Sequence, residues 1–345
     1  MRRRTFIRTG AGTVAVGVAG CSGLLEERST GIQPSVLEDR PDAVYRPTHV
    51  EGMEMIGTRT VGDRTVGLFY SYPHRFWNVT NARTSKAEIQ NGHSVHLMAS
   101  TWEPDSGTVV PVLSQPTFTI ARDGEEIDSK RAWPMLSQNM GFHFGENMSL
   151  DGDGTYAVSV EVPAVDAATV GGFDGLFEES ITAEFGFEYS EDEKNGIDYT
   201  TFDEQAGERA AVSPMGMSMP LAFAPTTAEM PGSPITVGSI GDAEFVATVE
   251  ESTLIVSPRT PYNRFSIPGF SLSSTVEGVG FDGELTGAIG PDLGAHYRAE
   301  LPGAPAAGDA LTITVQTPTQ LSRHEGYETA FLEEGSVSGA LQPSD

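Results

Sequence analysis

Methionine and histidine, two residue types able to hold a soft metal ion, meet in the run Trp133-Pro134-Met135-Leu136-Ser137-Gln138-Asn139-Met140-Gly141-Phe142-His143-Phe144-Gly145-Glu146-Asn147. A thioether sulfur suits copper, and an imidazole suits copper, iron or zinc. The run is rich in turn-forming residues and reads as a loop between two strands. Loops on a rigid sandwich are where binding residues usually sit. All ten methionines after Met1 precede residue 231, and so do five of the seven histidines: His49, His74, His93, His96 and His143. Met215, Met217 and Met219 alternate, so an extended segment would put three sulfurs on one side. The competing reading of any single methionine is that it fills an irregular gap in the core. The chain has no nucleophile elbow, no paired cysteines at zinc spacing and no phosphate loop, and its acids form no evident catalytic pair. The motifs predict a binding protein rather than an enzyme.

The elements that must position these residues are strands. Short alternating runs bounded by Gly, Pro, Asn and Asp recur along the chain, the pattern of antiparallel sandwiches. They include Thr65–Tyr72, Ser94–Ser100, Thr117–Arg122, Tyr156–Val162, Ala183–Tyr189, Glu244–Val249, Thr253–Ser257 and Leu311–Gln316. In Tyr156-Ala157-Val158-Ser159-Val160-Glu161-Val162 the tyrosine and three valines share one face, as in a half-buried strand. A weak internal repeat organises the rest. Tyr72-Pro73-His74-Arg75-Phe76 faces Pro261-Tyr262-Asn263-Arg264-Phe265, and Phe142-His143-Phe144-Gly145 faces Ala295-His296-Tyr297-Arg298. Tyr156–Pro163 matches Leu311–Pro318, and Leu176-Phe177-Glu178-Glu179 matches Phe331-Leu332-Glu333-Glu334. The expected fold is therefore all-β, with two immunoglobulin-like antiparallel sandwiches in tandem. The expected bounds are 46–212 for a metal-binding domain, 213–234 for a linker and 235–345 for a degenerate second copy.

Arg3-Arg4-Thr5-Phe6-Ile7-Arg8 reads as a twin-arginine export signal, followed by the short apolar stretch Gly10 to Gly20. A spanning helix needs about 20 strongly apolar residues, so a cleaved signal over 1–20 is expected instead. Val18-Ala19-Gly20-Cys21 resembles a lipobox, and Cys21 is the only cysteine, which makes it the expected lipid attachment. Residues 21–45 read as a flexible stalk. The net charge is −27, and only Lys86, Lys130 and Lys194 are lysines. That balance excludes nucleic-acid binding by phosphate neutralisation. Spread along the whole chain, it reads as salt adaptation. The expected location is the extracellular face of the cell membrane.

Residues 47–190 resemble the periplasmic iron-transport accessory family, the immunoglobulin-like proteins of iron-uptake operons. The likeness rests on Pro134-Met135, His143-Phe144-Gly145-Glu146-Asn147, Gly152, Gly154, Tyr156 and Pro163, with His96-Leu97-Met98 and Gly52-Met53-Glu54 upstream. The chain would be a divergent, haloarchaeal-type tandem version. The family's His-x-Glu becomes His96-x-Met98, and Thr169 stands where its late histidine falls. The second half has that histidine, His324, in Ser322-Arg323-His324-Glu325. The resemblance implies a copper site, or an iron site, drawn from His96, Met98, Met135, His143 and His324. It also implies support of a membrane iron permease, and either a homodimer or an intramolecular pseudo-dimer in which His324 reaches the first-half site. The alternative is an envelope-binding or structural module that has lost its metal.

Overall fold

The computed structural model describes residues 34–342, so Arg3, Arg4 and Cys21 lie outside the described residues. The first half contributes β1 (His49–Glu51), β2 (Glu54–Val61), β3 (Arg64–Ser71), β4 (Phe76–Thr80), β5 (Arg83–Ala87), β6 (His93–Trp102) and β7 (Thr117–Arg122). It continues with β8 (Glu125–Arg131), β9 (Trp133–Ser137), β10 (Gly141–Ser149), β11 (Gly154–Val162), β12 (Ala168–Thr169), β13 (Ile181–Tyr189) and β14 (Tyr199–Thr201). The second half adds β15 (Ile235–Ile240), β16 (Ala243–Glu250), β17 (Thr253–Arg259), β18 (Ser271–Val276), β19 (Phe281–Gly290), β20 (Gly294–Glu300), β21 (Ala310–Thr317), β22 (Ser322–Arg323) and β23 (Gly335–Ala340). Each of the eight runs chosen for their alternation falls on a strand to within one residue. The chain is all-β and built as antiparallel sandwiches.

In the first half, a sheet of order β2-β3-β6-β10-β9-β22-β4-β5 packs on a sheet of order β13-β11-β7-β8. Tyr156, Val158, Val160 and Val162 of β11 are buried, and the residues between them are not. They meet Leu68, Tyr70, Leu97, Phe142 and Phe144 on the inner face of the larger sheet. Burying each such side chain stabilises by about 1.5–3 kcal/mol. The second half forms one continuous ladder, β15-β16-β17-β20-β19-β18-β21-β23. Residues Phe281–Leu285 of β19 pair with β18, and Thr286–Gly290 pair with β20, so this strand passes from one layer to the other.

The halves exchange strands. β22 comes from the second half and lies between β9, which it pairs in parallel, and β4. Among the described strands, the hairpin β4–β5 pairs into its sheet only through β22. In return, β12 of the first half pairs in parallel with β19. The registers are equivalent: Ser322 lies opposite Met135 as Ala168 lies opposite Ala288.

Two expectations are corrected. The stalk does not extend to residue 45, because Ala43, Val44 and Tyr45 are buried. The Val44 amide donates to Asp242, the Tyr45 amide donates to Gly326 O at 3.1 Å, and the Tyr45 hydroxyl donates to Glu328. All three partners belong to the second half. Within the expected linker over 213–234, Met219, Ala224 and Met230 are buried, and Met217 packs on the hydrophobic core. The alternating sulfurs of Met217 and Met219 thus serve as core filling.

If the chain is cut between Gly232 and Ser233, the two pieces should copurify when coexpressed. The first piece alone should aggregate, because β4–β5 loses its ladder. Light scattering of each piece against the mixture checks this, and a soluble, monomeric first piece would count against it.

Candidate metal centre

The expected loop over 133–147 is in fact a tight hairpin. β9 and β10 pair directly through Gly141↔Ser137, His143↔Met135 and Gly145↔Trp133. Pro134, Gly141 and Gly145 resemble turn residues, but all three fall in the paired register, with Gly141 at its end. Gly141 has φ +67 and closes the turn, where the Met140 amide donates to Ser137 Oγ at 3.1 Å. Gly145 is needed for space: a Cβ there would run into His96 Nε2 and lie 3.0 Å from Met135 Sδ.

β10 also pairs with β6, placing Asn147 opposite His96 and Gly145 opposite Met98. Side chains directly opposite share a face. Met135, His143, His96 and Met98 therefore all project from the outer face of the sheet, away from the core of their own sandwich. That face is covered. Met135, His96 and His143 are fully buried. Met98 is buried among the hydrophobic residues one step further along β6. β22 then delivers His324, whose amide donates to Leu136 O at 3.2 Å.

Four imidazoles and a thioether converge here. His324 Nε2 lies 3.2 Å from His143 Nε2 and 3.3 Å from Met135 Sδ. The His74 ring packs 3.8 Å from His96 and 4.7 Å from His324, centroid to centroid. His74, His96 and His324 each offer a ligand atom, all within 4.8 Å of one another. His74 was not among the residues selected from sequence. Pro73 ends β3 just after Ser71, which pairs with His96, so the chain folds back over His96 at His74. Pairing β3 with β6 in register would have found it; no spacing motif would.

The hydrogen bonds fix the tautomers. His143 Nδ1 donates to Gly141 O at 3.0 Å, which leaves its Nε2 lone pair facing the cluster. Asn147 Nδ2 donates to His74 O at 2.9 Å, so its Oδ1 accepts from His96 Nδ1 at 3.0 Å and from the His74 amide at 3.1 Å. His96 Nε2 and both nitrogens of His74 have no hydrogen-bond partner although buried. Unpaired buried polar atoms are costly, and several in one place call for an explanation. An ion supplies it. Two nitrogens each about 2.0 Å from a tetrahedral ion lie about 3.3 Å apart, close to the spacing of His143 and His324. The backbone carbonyl and Asn147 are the outer partners that orient metal-bound imidazoles.

Burial holds the imidazoles neutral, the form that ligates. It pushes His96 down to about 3 and His143 to about 4, and it lowers His74 and His324 well below the usual imidazole range, where neighbouring histidines add to the effect.

The second half carries an eroded counterpart. His296 Nδ1 donates to Gly294 O at 3.0 Å, as His143 does to Gly141. Ala288 lies opposite His296 where Met135 lies opposite His143, and Val170, whose amide donates to Ile289 O at 3.0 Å, stands where His324 does, one residue beyond the expected Thr169.

Without metal, the unfolded chain takes up protons on these histidines below about pH 6.5 while the folded chain does not. Stability is therefore full above that pH and falls as pH drops towards 4. His96 and His143 alone should remove about 4 kcal/mol between pH 8 and pH 5. Denaturant unfolding of the metal-free chain at the two values measures this, and a His96→Leu/His143→Leu variant should lack that share of the loss.

The family described as Domain of unknown function (DUF7350) matches residues 228–340. No curated protein matches the chain. Among solved structures, a copper-bound variant of FetP from uropathogenic Escherichia coli strain F11 is similar at 16% identity, over 40% of this chain and 97% of that one, with a TM-score of 0.30. FetP in its as-isolated form is similar at 15% identity, over 41% and 96%, with a TM-score of 0.29. At those scores the site has to be read from its own chemistry. No helix among the described residues is long and apolar enough to cross a membrane.

Proposed function

We propose that this chain is a transition-metal-binding protein whose buried site takes copper(I), held by Met135, His143 and His324 with His74 and His96 beside them. The observation that carries this reading is the convergence of four buried imidazoles on one thioether, with His96 Nε2 and both His74 nitrogens lacking a hydrogen-bond partner. Neutral nitrogen and soft sulfur donors without a carboxylate in the cluster suit copper(I) better than ferrous or ferric iron. The ion would supply the positive charge that these lone pairs face. The chain's own part is to exclude water, hold the tautomers and keep the donors at ligating distance.

The two halves act as an intramolecular pseudo-dimer with one working site, because the second copy has Ala288 and Val170 in place of Met135 and His324. By resemblance to the iron-transport accessory family, the process served is iron uptake. The chain would act beside a membrane permease, tethered by lipid at Cys21 on the extracellular face after twin-arginine export, in a high-salt setting.

Anaerobic copper(I) titration against a chromophoric chelator, in multimolar salt, tests the site. We expect about one copper per chain, and a Met135→Ala/His143→Ala variant weaker by more than about 100-fold, since changes to outer-shell partners alone cost 10–100-fold. No copper in either form would sink the reading and leave a metal-free envelope module. Slower growth of a deletion strain in iron-poor medium, with normal growth when iron is ample, is expected if the process is iron uptake.

A further inference from the structure

The second half keeps its histidine but surrounds it with small residues. Ala288 lies opposite His296, and Thr286, two residues away on β19, shares the face of Ala288. In the first half Met135 fills the corresponding place and is fully buried. Here a cavity of about 190 Å³ takes up the space, bordered by Pro111 and Leu113 of the first half and by Pro268, Phe270, Ala288 and His296 of the second. Its lining is mainly apolar. Leu113, a large apolar side chain left exposed, borders it, so the cavity has a way in from solvent.

His296 is only 3% exposed. Its Nδ1 holds the proton and donates to Gly294 O, so Nε2 carries a lone pair. Among the described residues nothing donates to that lone pair. In the first half the corresponding nitrogen of His143 meets His324 Nε2 at 3.2 Å. Burial lowers His296 below the usual imidazole range, so the ring is neutral and Nε2 stays an acceptor. A buried acceptor without a donor is costly, and a guest that brings one removes the cost. Asp166 stands at the rim, where its Oδ2 accepts from Ser114 Oγ at 2.9 Å. That carboxylate, on a chain of net charge −27, disfavours an anionic guest.

We propose that this cavity binds a neutral single-ring molecule with one hydroxyl, of the phenol class, whose O–H donates to His296 Nε2 while its ring lies among the apolar side chains. The size fits: an apolar cavity of about 150 Å³ holds one benzene. The larger volume here leaves room for the hydroxyl, and too little for two rings. The site needs no metal and stands whether or not the histidine cluster of the first half takes copper.

The test is titration of the full-length chain, freed of metal and kept with a chelator, with phenol and with toluene, followed by ligand-observed magnetic resonance. Toluene has the same shape and no donor. We expect one phenol per chain with a Kd on the order of 1 mM or tighter. Toluene should bind about tenfold more weakly, the worth of one hydrogen bond. His296→Leu should weaken phenol by about tenfold and change toluene by less than about threefold. Ala288→Met, which restores the side chain found at this place in the first half, should weaken both guests by more than about tenfold. No saturable phenol binding, equal affinity for phenol and toluene, or unchanged phenol binding in Ala288→Met would each overturn the proposal. If His296→Leu fails to fold, the nitrogen resonance of His296 Nε2 in the parent chain decides. A shift with phenol and not with toluene upholds the proposal, and no shift with phenol removes it.

Discussion

Strand β22 adds two residues to the ladder, and the surrounding architecture depends on it. Among the described residues it is the one strand that pairs the β4–β5 hairpin to the rest of its sheet. It buries Arg323, whose guanidinium donates to Leu321 O and Thr319 O. It also carries His324 onto the outer face of a sheet made by the other half. Removing it would open the sheet, expose the outer face and take away the imidazole that stands nearest both His143 and Met135. The reciprocal strand β12 performs the same pairing on the opposite side but leads into Val170 where β22 leads into His324, so the exchange is symmetrical in backbone and asymmetrical in chemistry.

That asymmetry separates what the scaffold requires from what metal binding requires. The hydrogen bond from Nδ1 to a carbonyl two residues back is present at both His143 and His296. Orientation of the ring is thus a property of the hairpin. The thioether and the strand-borne imidazole are present at only one of the two places. Buried histidines without partners oppose folding in acid, and the protein keeps them where they converge.

The alternation of Tyr156, Val158, Val160 and Val162 was legible because the side-chain period of a strand is local. Met135, His143 and His96 were legible through a motif, and His324 through the internal repeat. The hairpin over 133–147 was not, because Gly141 and Gly145 look like turn residues whether they serve a turn or a close approach. His74 was hidden because its place depends on the register between β3 and β6. The burial of Val44 and Tyr45 was hidden because Asp242, Gly326 and Glu328, which hold them, come from the other half of the chain.

The strand exchange also sets a time at which the site can exist. Its donors run from His74 to His324, a span of 250 residues. At 5–20 residues per second, a ribosome needs roughly 12–50 s to cover that distance. Once His143 has been made, the first sandwich has Met135, His96 and His143 but lacks β22 between β9 and β4 until residues 322–324 follow. If the proposed site takes an ion, its full donor set is complete only after both halves have been synthesised and have traded strands.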